Sequence, residues 1–192
     1  METAIFLTTS QEKAAALLQF NGDNFFIIET EQEAFIFEGK EEEARSEFLK
    51  DIEGTEESDI DVNFLIYCQN NLTEVEEYDE NNYNNDYLVL TDEEADEKAK
   101  EDIKDSLWAF NASFIANQID LDEEVIQAIH DNGKCESNND TIYNLINKLG
   151  DFDNFCSEAI SSDGRGHFMS SYDGNENEET VNGTTYYIYR QN

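Results

Sequence analysis

The chain has 192 residues, of which 46 are Asp or Glu and 11 are Lys or Arg, so its formal net charge is −35. Hydrophobic residues make up 39% of the sequence, which is enough to bury a core and excludes a chain that is disordered throughout. Repulsion between like charges disfavours nucleic acid and anionic membranes as partners, and it favours a positively charged protein surface.

The sequence contains no run of about 20 apolar residues, and its N-terminus lacks the basic and apolar pattern of a signal peptide. We therefore predict a cytoplasmic protein without a membrane span. Cys68, Cys135 and Cys156 lack a CxxC spacing and are predicted to be reduced thiols. Adaptation of the surface to high salt would also explain the charge, but the free use of Phe, Ile and Asn argues against it.

Residues 1–70 predict an α/β unit, because stretches with strand-like and helical apolar spacing follow one another along the chain. The first helix should begin at Ser10 and end at Asn21-Gly22. In chain order, the predicted elements are a strand at 4–8, a helix at 11–20, strands at 24–30 and 34–38, a helix at 41–52 and a strand at 62–68. The order βαββαβ is that of a ferredoxin-like unit.

Residues 71–86 contain almost no aliphatic side chains and predict an acidic connector. Residues 87–192 predict a helical part with a C-terminal β-hairpin, so the predicted fold class of the whole chain is α+β. A capping box formed by Thr91 and Glu94 should open a long helix over 92–117, and a second box begins at Asp120. The other predicted elements are a strand at 87–90, helices ending at Gly133, Gly150 and Ile160, and hairpin arms at 167–172 and 185–190.

About half of the net charge lies between residues 51 and 97, a stretch with 17 acidic residues and no basic one. Carboxylates on successive helix turns can stand where phosphates would, since a competitor of nucleic acid has to copy its charges rather than its base edges. We therefore predict that the partner binds this stretch and the exposed face of the 92–117 helix. The predicted partner-binding residues are Glu56, Glu57, Asp59, Asp61, Glu74, Glu76, Glu77, Asp79, Glu80, Asp86, Asp92, Glu93, Asp96, Glu97, Glu101 and Asp105.

The sequence predicts no metal site, no cofactor and no catalytic centre. His130 and His167 lack the HxxxH spacing of metal ligands, and a cation such as His130 is favoured at the end of a helix. The segment 161–167 holds hydroxyls, a carboxylate, an arginine and an imidazole, but its Asp-Gly and Arg-Gly pairs favour a turn that leads into a strand. The alternative is an enzyme using Asp163, Arg165 and His167, in which His167→Ala would abolish function.

Two stretches resemble small acidic proteins of bacteriophages and mobile elements, most of which have no assigned function. The first runs from Tyr87-Leu-Val-Leu-Thr-Asp-Glu-Glu-Ala-Asp-Glu-Lys98 to Ser106-Leu-Trp-Ala-Phe-Asn111. The second comprises Ser162-Asp-Gly-Arg-Gly-His167, Ser171-Tyr-Asp-Gly174 and Tyr186-Tyr-Ile-Tyr-Arg190. The resemblance covers residues 87–192 and implies no catalytic residues. We expect the remaining N-terminal part, residues 1–70, to determine the target.

In size and charge the chain also resembles phage inhibitors of host defence, among them DNA-mimic antirestriction proteins and anti-CRISPR proteins. This likeness implies an inhibitor that blocks the DNA- or RNA-binding surface of a restriction, CRISPR or related complex without chemistry. The alternative is an acidic regulatory or accessory phage protein that binds a basic replication or packaging protein. Both functions would be carried out in the cytoplasm of a bacterial host.

Overall fold

The computed structural model describes residues 7–30, 33–50, 60–81, 86–132 and 136–192. Residue contacts divide the chain into two units: unit 1 is Met1–Leu90 with Glu178–Ile188, and unit 2 is Thr91–Asn177 with Tyr189–Asn192. The predicted α+β fold class is confirmed, since helices and antiparallel strands are both present. The division of the chain differs from the predicted one, because most of the C-terminal hairpin belongs to the N-terminal unit.

Unit 1 begins with helix α1, Thr9–Asn21, close to the predicted helix. Its N-terminal cap is Thr8, because the Thr8 hydroxyl accepts a hydrogen bond from Gln11 N while Gln11 Oε1 accepts one from Thr8 N. The predicted cap, Ser10, is wrong: its hydroxyl donates to a backbone carbonyl elsewhere in the unit. The helix ends at Gly22 in the left-handed conformation, as predicted.

Two strands follow α1, namely β1, Phe25–Glu29, and β2, Ala34–Glu38. They pair antiparallel, with Ile27 opposite Ile36, which confirms both predicted strands. Helix α2, Glu41–Phe48, comes next and buries its aromatic last residue in a cluster of aromatic and aliphatic side chains. The elements between residues 25 and 48 therefore agree with the predicted strands and helix.

Helix α3, Ile60–Asn71, takes the place of the strand predicted at 62–68, so the ferredoxin-like order βαββαβ is wrong for the described residues. A short continuous apolar run is compatible with a buried strand or a buried helix. Phe64 and Cys68, four residues apart, are buried, whereas the intervening Ile66 is 49% exposed, which is a helical pattern. Most of the strand predicted at 4–8, and the end of the helix predicted at 41–52, lie outside the described residues.

The segment after α3 lies along β2. Glu38 N donates to Thr73 O at 3.0 Å, and Val75 N donates to Ile36 O at 2.8 Å. Val75 and Tyr78 also pack against the hydrophobic cluster to which α1 contributes. The acidic side chains between Thr73 and Tyr78 are therefore carried by a backbone that is hydrogen-bonded to the rest of unit 1.

A three-stranded sheet has the order β3-β5-β4, in which β3 is Tyr87–Leu90, β4 is Asn177–Val181 and β5 is Thr184–Arg190. The predicted C-terminal hairpin is confirmed, but its first arm is β4. The arm predicted at 167–172 is wrong, because part of that stretch is helical. The hairpin turn is Asn182-Gly183, whose φ angles of 51° and 82° suit the type I′ turn that this dipeptide favours.

The described part of unit 2 consists mainly of helices, which surround one hydrophobic core. No helix of the described ranges is long and apolar enough to cross a membrane. The helices are α4, Asp92–Asp105; α5, Ala112–Gln118; α6, Glu123–Asp131; α7, Asn139–Leu149; α8, Phe152–Asp163; and α9, Arg165–Met169. Every helix from α4 to α8 contributes buried side chains to the core, among them Ile103, Ile126 and Phe155.

The long helix predicted over 92–117 is interrupted after α4. Ser106 donates its hydroxyl to Asp102 O at 2.7 Å, and a 3₁₀ turn at Leu107–Ala109 follows. The side chain of Asn139 then accepts a hydrogen bond from Trp108 N at 2.8 Å. Apolar side chains on both sides of this break, among them Ile103, Leu107 and Phe114, contact the same core.

The capping box predicted at Asp120 is wrong. Asp120 adopts a left-handed conformation with φ 50°, and Asp122 caps α6 by accepting a hydrogen bond from Glu124 N at 3.0 Å. The cap is displaced by two residues because the chain turns sharply at Asp120. The three helices α6, α7 and α8 themselves are confirmed.

Cys68 and Cys156 are buried free thiols, whereas Cys135 lies outside the described residues. Burial raises the pKa of Cys68 to about 11 and that of Cys156 to about 12. The thiolate is the reactive form, so we expect no reaction of the folded Cys135→Ser protein with Ellman's reagent near pH 8. Two thiols should react after unfolding in about 6 M guanidinium chloride. Reaction of either thiol within minutes in the folded protein would contradict this expectation.

Candidate acidic interface

Helix α4 holds six of the predicted partner-binding residues, and a capping box fixes its N-terminus. Glu94 N donates to Thr91 Oγ1 at 3.3 Å, and Thr91 N donates to Glu94 Oε2 at 2.8 Å, which confirms the predicted box. One face of the helix, consisting of Ala95, Ala99 and Ile103, is completely buried. The helix therefore presents its opposite face to solvent from a well-packed position.

Four exposed acids recur every four residues along the solvent side of α4. We call this row the α4 acidic stripe: Glu93, Glu97, Glu101 and Asp105. Residues four apart lie on neighbouring turns of the same helix face, about 6 Å apart along the axis. The stripe therefore extends over about 18 Å.

Lys98 compensates one member of the stripe. Its ammonium group lies 3.0 Å from Glu101 Oε2 and 2.8 Å from Asp102 Oδ1. Burial by itself lowers the pKa of Lys98, but the hydrogen bonds to Asp102 and Glu101 outweigh this effect and raise it. Lys98 is therefore a permanent cation that partly neutralises the C-terminal half of the stripe.

The other two lysines of α4 are engaged away from the stripe. Lys100 Nζ lies 2.8 Å from Asp153 Oδ1 on α8. The ammonium group of Lys104 lies 4.6 Å from the centroid of the Tyr143 ring on α7, a cation–π contact. Within the described ranges, the three other members of the stripe have no Lys or Arg within ion-pair distance.

Two further acids of α4 are held by an arginine of α9. Arg165 Nη1 lies 2.8 Å from Asp92 Oδ1 and 3.0 Å from Asp96 Oδ1, and Arg165 Nε lies 2.8 Å from Glu176 Oε2. Tyr189 also donates its hydroxyl to Glu176. Burial lowers the pKa of Arg165, but hydrogen bonds to Glu176 and Asp92 raise it well above its usual range. Asp92 and Asp96 thus have an internal partner that the sequence analysis did not identify.

The predicted acids of unit 1 are exposed wherever the structure describes them. Asp61 lies 3.5 Å from Arg45 Nη1, a weak ion pair on the surface. Three predicted residues, Glu56, Glu57 and Asp59, lie outside the described ranges. The other exposed acids of this unit are Glu74, Glu76, Glu77, Asp79, Glu80 and Asp86.

The structure separates the three residues of the alternative catalytic site. Gly164, with φ 79°, joins α8 to α9, so the predicted turn is confirmed, but it leads into a helix and not into a strand. Arg165 is directed to its carboxylate partners, whereas Asp163 and His167 line a pocket that does not include Arg165. In the described part of the chain, no group of three or more His, Cys, Asp or Glu is arranged to hold a metal ion.

The excess of carboxylates predicts that salt stabilises this protein. Salt shortens the range of repulsion from about 30 Å at 0.01 M to about 3 Å at 1 M. We expect the melting temperature to rise by at least about 5 °C between these NaCl concentrations, because repulsion among the charges opposes the folded state. Circular dichroism in NaCl and KCl would measure the change. Equal shifts in both salts would indicate screening, and a constant or falling melting temperature would contradict the prediction.

No known protein family, no curated protein and no solved structure matches this chain. The resemblance to phage and mobile-element proteins therefore stays a prediction.

Proposed function

We propose that this protein is an inhibitor that binds the nucleic-acid-binding surface of a basic host protein, with the α4 acidic stripe in the place of phosphates. The proposed setting is counter-defence by a phage or mobile element against a restriction, CRISPR or related complex. The observation that carries this proposal is the row of exposed carboxylates on a helix whose opposite face is buried.

The spacing of the acids on α4 supports this function. Six exposed acids lie on a helix of 14 residues, which is about 21 Å long. The members of the α4 acidic stripe are about 6 Å apart along the axis, which is close to the spacing of every second phosphate of one DNA strand, about 6.8 Å. Because Arg165 and Lys98 compensate three of the six acids, a partner would meet three uncompensated carboxylates spread over about 18 Å.

Inhibition of this kind requires no reaction. Most contacts between proteins and DNA go to phosphate and sugar, so a competitor that covers the Lys and Arg side chains of the partner excludes nucleic acid of any sequence. Exposed charges also accelerate the encounter with a basic surface, and salt screens this effect. Binding should therefore be fast and strongly weakened by salt.

The test is competition with nucleic acid. The immobilised protein would be used to capture partners from a bacterial lysate, and each purified partner would be mixed with its own DNA or RNA in a gel-shift assay. We expect the protein to release the nucleic acid at low salt, and its affinity to fall at least tenfold between about 0.05 and 0.5 M NaCl. A captured partner that binds equally well at both salt concentrations, or keeps its nucleic acid, would contradict the proposal. A basic replication or packaging protein as partner would favour the alternative function.

Variants of the stripe sharpen this test. The triple variant Glu93→Gln, Glu97→Gln, Asp105→Asn removes the three uncompensated charges and should weaken partner binding at least tenfold. A matched control removes three exposed charges elsewhere in unit 2: Glu124→Gln, Asp140→Asn and Glu158→Gln. We expect the affinity of this control variant for the partner to fall by less than about threefold. Equal losses in both variants would mean that affinity follows total charge and not the stripe.

A further inference from the structure

A pocket of about 540 Å³ lies within unit 2, between α4, α5, α8 and α9. Its volume falls in the range of about 300–1,000 Å³ that is typical of sites for organic ligands. Polar side chains from α4 and α8 form one part of its wall, and phenylalanine rings form another. None of the described residues that line it is Lys or Arg, so the pocket has a negative formal charge from Asp102 and Asp163.

Two hydroxyls and two carboxylates of the pocket act as acceptors, whereas Asn111 and His167, which also line it, carry N–H donors. Ser106 Oγ donates its hydrogen to Asp102 O at 2.7 Å, and Ser162 Oγ donates its hydrogen to Asp163 Oδ1 at 3.1 Å. A hydroxyl that has used its only hydrogen offers lone pairs alone to a ligand. Lys98 occupies one oxygen of Asp102, which leaves the exposed Asp163 as the principal anion. A ligand with N–H donors and a positive charge therefore complements the hydroxyl and carboxylate oxygens of this wall.

The aromatic part of the pocket favours a flat cation. The rings of Phe110 and Phe168 are almost parallel, with centroids 6.1 Å apart and an interplanar angle of 9°. Both side chains are partly buried and line the pocket, and the His167 ring packs perpendicular to Phe168 with centroids 5.0 Å apart. Cations bind over aromatic faces, and a planar guanidinium also stacks on them. A guanidinium combines this stacking with five N–H donors, which matches the acceptors next to the rings.

We propose that this pocket binds an arginine side chain of the basic partner, with Asp163 as its counter-ion and Phe110 and Phe168 as its stacking surface. This inference rests on the proposed function, since it assumes a basic protein as the partner. It adds a specific anchor to an interface that would otherwise depend on charge alone. Arginine is enriched among the few residues that dominate binding energy in protein interfaces, and such residues lie in well-packed pockets.

The first experiment needs only the purified protein. Amide resonances would be followed by NMR during titration with N-acetyl-arginine amide and, as the neutral control of the same shape, N-acetyl-citrulline amide. We expect saturable shifts in residues 162–168, with a Kd on the order of a few millimolar for the arginine compound. The citrulline compound should bind at least fivefold more weakly. Equal shifts with both compounds, or shifts confined to the α4 acidic stripe, would overturn the proposal.

A pair of variants connects the pocket to the partner. Asp163→Asn removes the anion but keeps an acceptor for Ser162, and Glu158→Gln removes one exposed charge of the same helix outside the pocket. Asp163→Asn should weaken binding of the arginine compound and of the captured partner at least fivefold, whereas Glu158→Gln should change each less than twofold. Equal behaviour of the two variants towards the partner would overturn the proposal.

The two proposals can fail separately. If Asp163→Asn binds the partner normally while the stripe variant does not, the arginine pocket is wrong and the proposed function stands. If the arginine compound binds the pocket but stripe variants leave partner binding unchanged, the stripe proposal is wrong. If the free arginine compound requires Asp163 but partner binding does not, the pocket serves a small guanidinium compound, and its assignment to the partner is overturned.

Discussion

Replacing Gly166 with alanine is expected to lower the free energy of unfolding by about 3 kcal/mol. A Cβ atom at this position would lie 2.5 Å from Gly174 O, 2.6 Å from Asn175 C and 2.8 Å from Glu176 N. All three atoms belong to the backbone, so no side chain can rotate to make room. The variant must shift α9 away from the 174–176 segment, and this would also disturb the contact between Arg165 and Glu176.

The neighbouring residue provides the control for this prediction. His167 lies on the same short helix with an exposed side chain, and alanine is a good helix former. His167→Ala should therefore change the free energy of unfolding by less than about 0.5 kcal/mol. Urea titration followed by the fluorescence of Trp108, the single tryptophan of the chain, would report on unit 2. If the Gly166→Ala protein were as stable as the His167→Ala protein, the backbone of residues 174–176 would not require a glycine at position 166.

Gly166 also shows what residue type alone can predict. Residue type alone predicts that the glycines of segment 161–167 adopt the positive φ angles of a turn. This is correct for Gly164, whose φ is 79°, but not for Gly166, whose backbone is helical. Gly166 is needed because another backbone passes beside it, and such a contact involves residues that are eight or more positions away. No local pattern reports a contact of that kind.

Local signals predict the start of α4 and the hairpin strand β5 well. The Thr91–Glu94 capping box depends on two side chains three residues apart, and the structure shows both of its hydrogen bonds. The Asn182-Gly183 turn was also readable from the sequence, since this dipeptide strongly favours a two-residue hairpin loop. The arm predicted at 167–172 lies too early in the chain, because a two-residue turn at Asn182-Gly183 requires the first arm to end at Val181, as β4 does.

The apolar run of α3 could not be interpreted from its composition. Its residues alternate between buried and exposed with helical spacing, but Val62 and Ile66 are apolar even though they are 63% and 49% exposed. When both faces of a helix carry apolar residues, the period that distinguishes it from a strand disappears. The amphipathic α6, with buried Ile126 and exposed neighbours, was predicted correctly for the opposite reason.

Exposure of the α4 acids follows directly from their spacing around Ala95, Ala99 and Ile103. The ion pairs that neutralise some of these acids do not follow from the spacing, because they depend on cations that are distant in the sequence. The partner of Asp92 and Asp96 is 73 and 69 residues further along the chain. Sequence analysis could therefore identify the acidic face of α4 but not which of its charges are available to a partner.

Arg165→Gln is expected to lower the free energy of unfolding by about 2 kcal/mol. Removing one partner of a buried ion pair costs about 3–5 kcal/mol, and the Arg165 side chain is only 11% exposed. The loss should be smaller here because Asp92 and Asp96 are 71% and 57% exposed, and water can solvate their charges once the arginine is gone. Most of the loss should come from Glu176, which is 26% exposed and, among its partners in the described ranges, would keep the Tyr189 hydroxyl.

This origin of the loss can be tested by a double-mutant cycle with Glu176→Gln. If Glu176 causes most of the effect, the double variant should lose less free energy of unfolding than the two single variants together. The difference should be at least about 1 kcal/mol. Lys100→Gln is the matched control, because it removes a cation whose partner Asp153 is 77% exposed, and it should cost less than about 0.5 kcal/mol. An Arg165→Gln loss as small as that of Lys100→Gln would mean that the arginine cluster contributes no more than a surface ion pair. In that case Asp92 and Asp96 would be only weakly held by Arg165 and available to a basic partner.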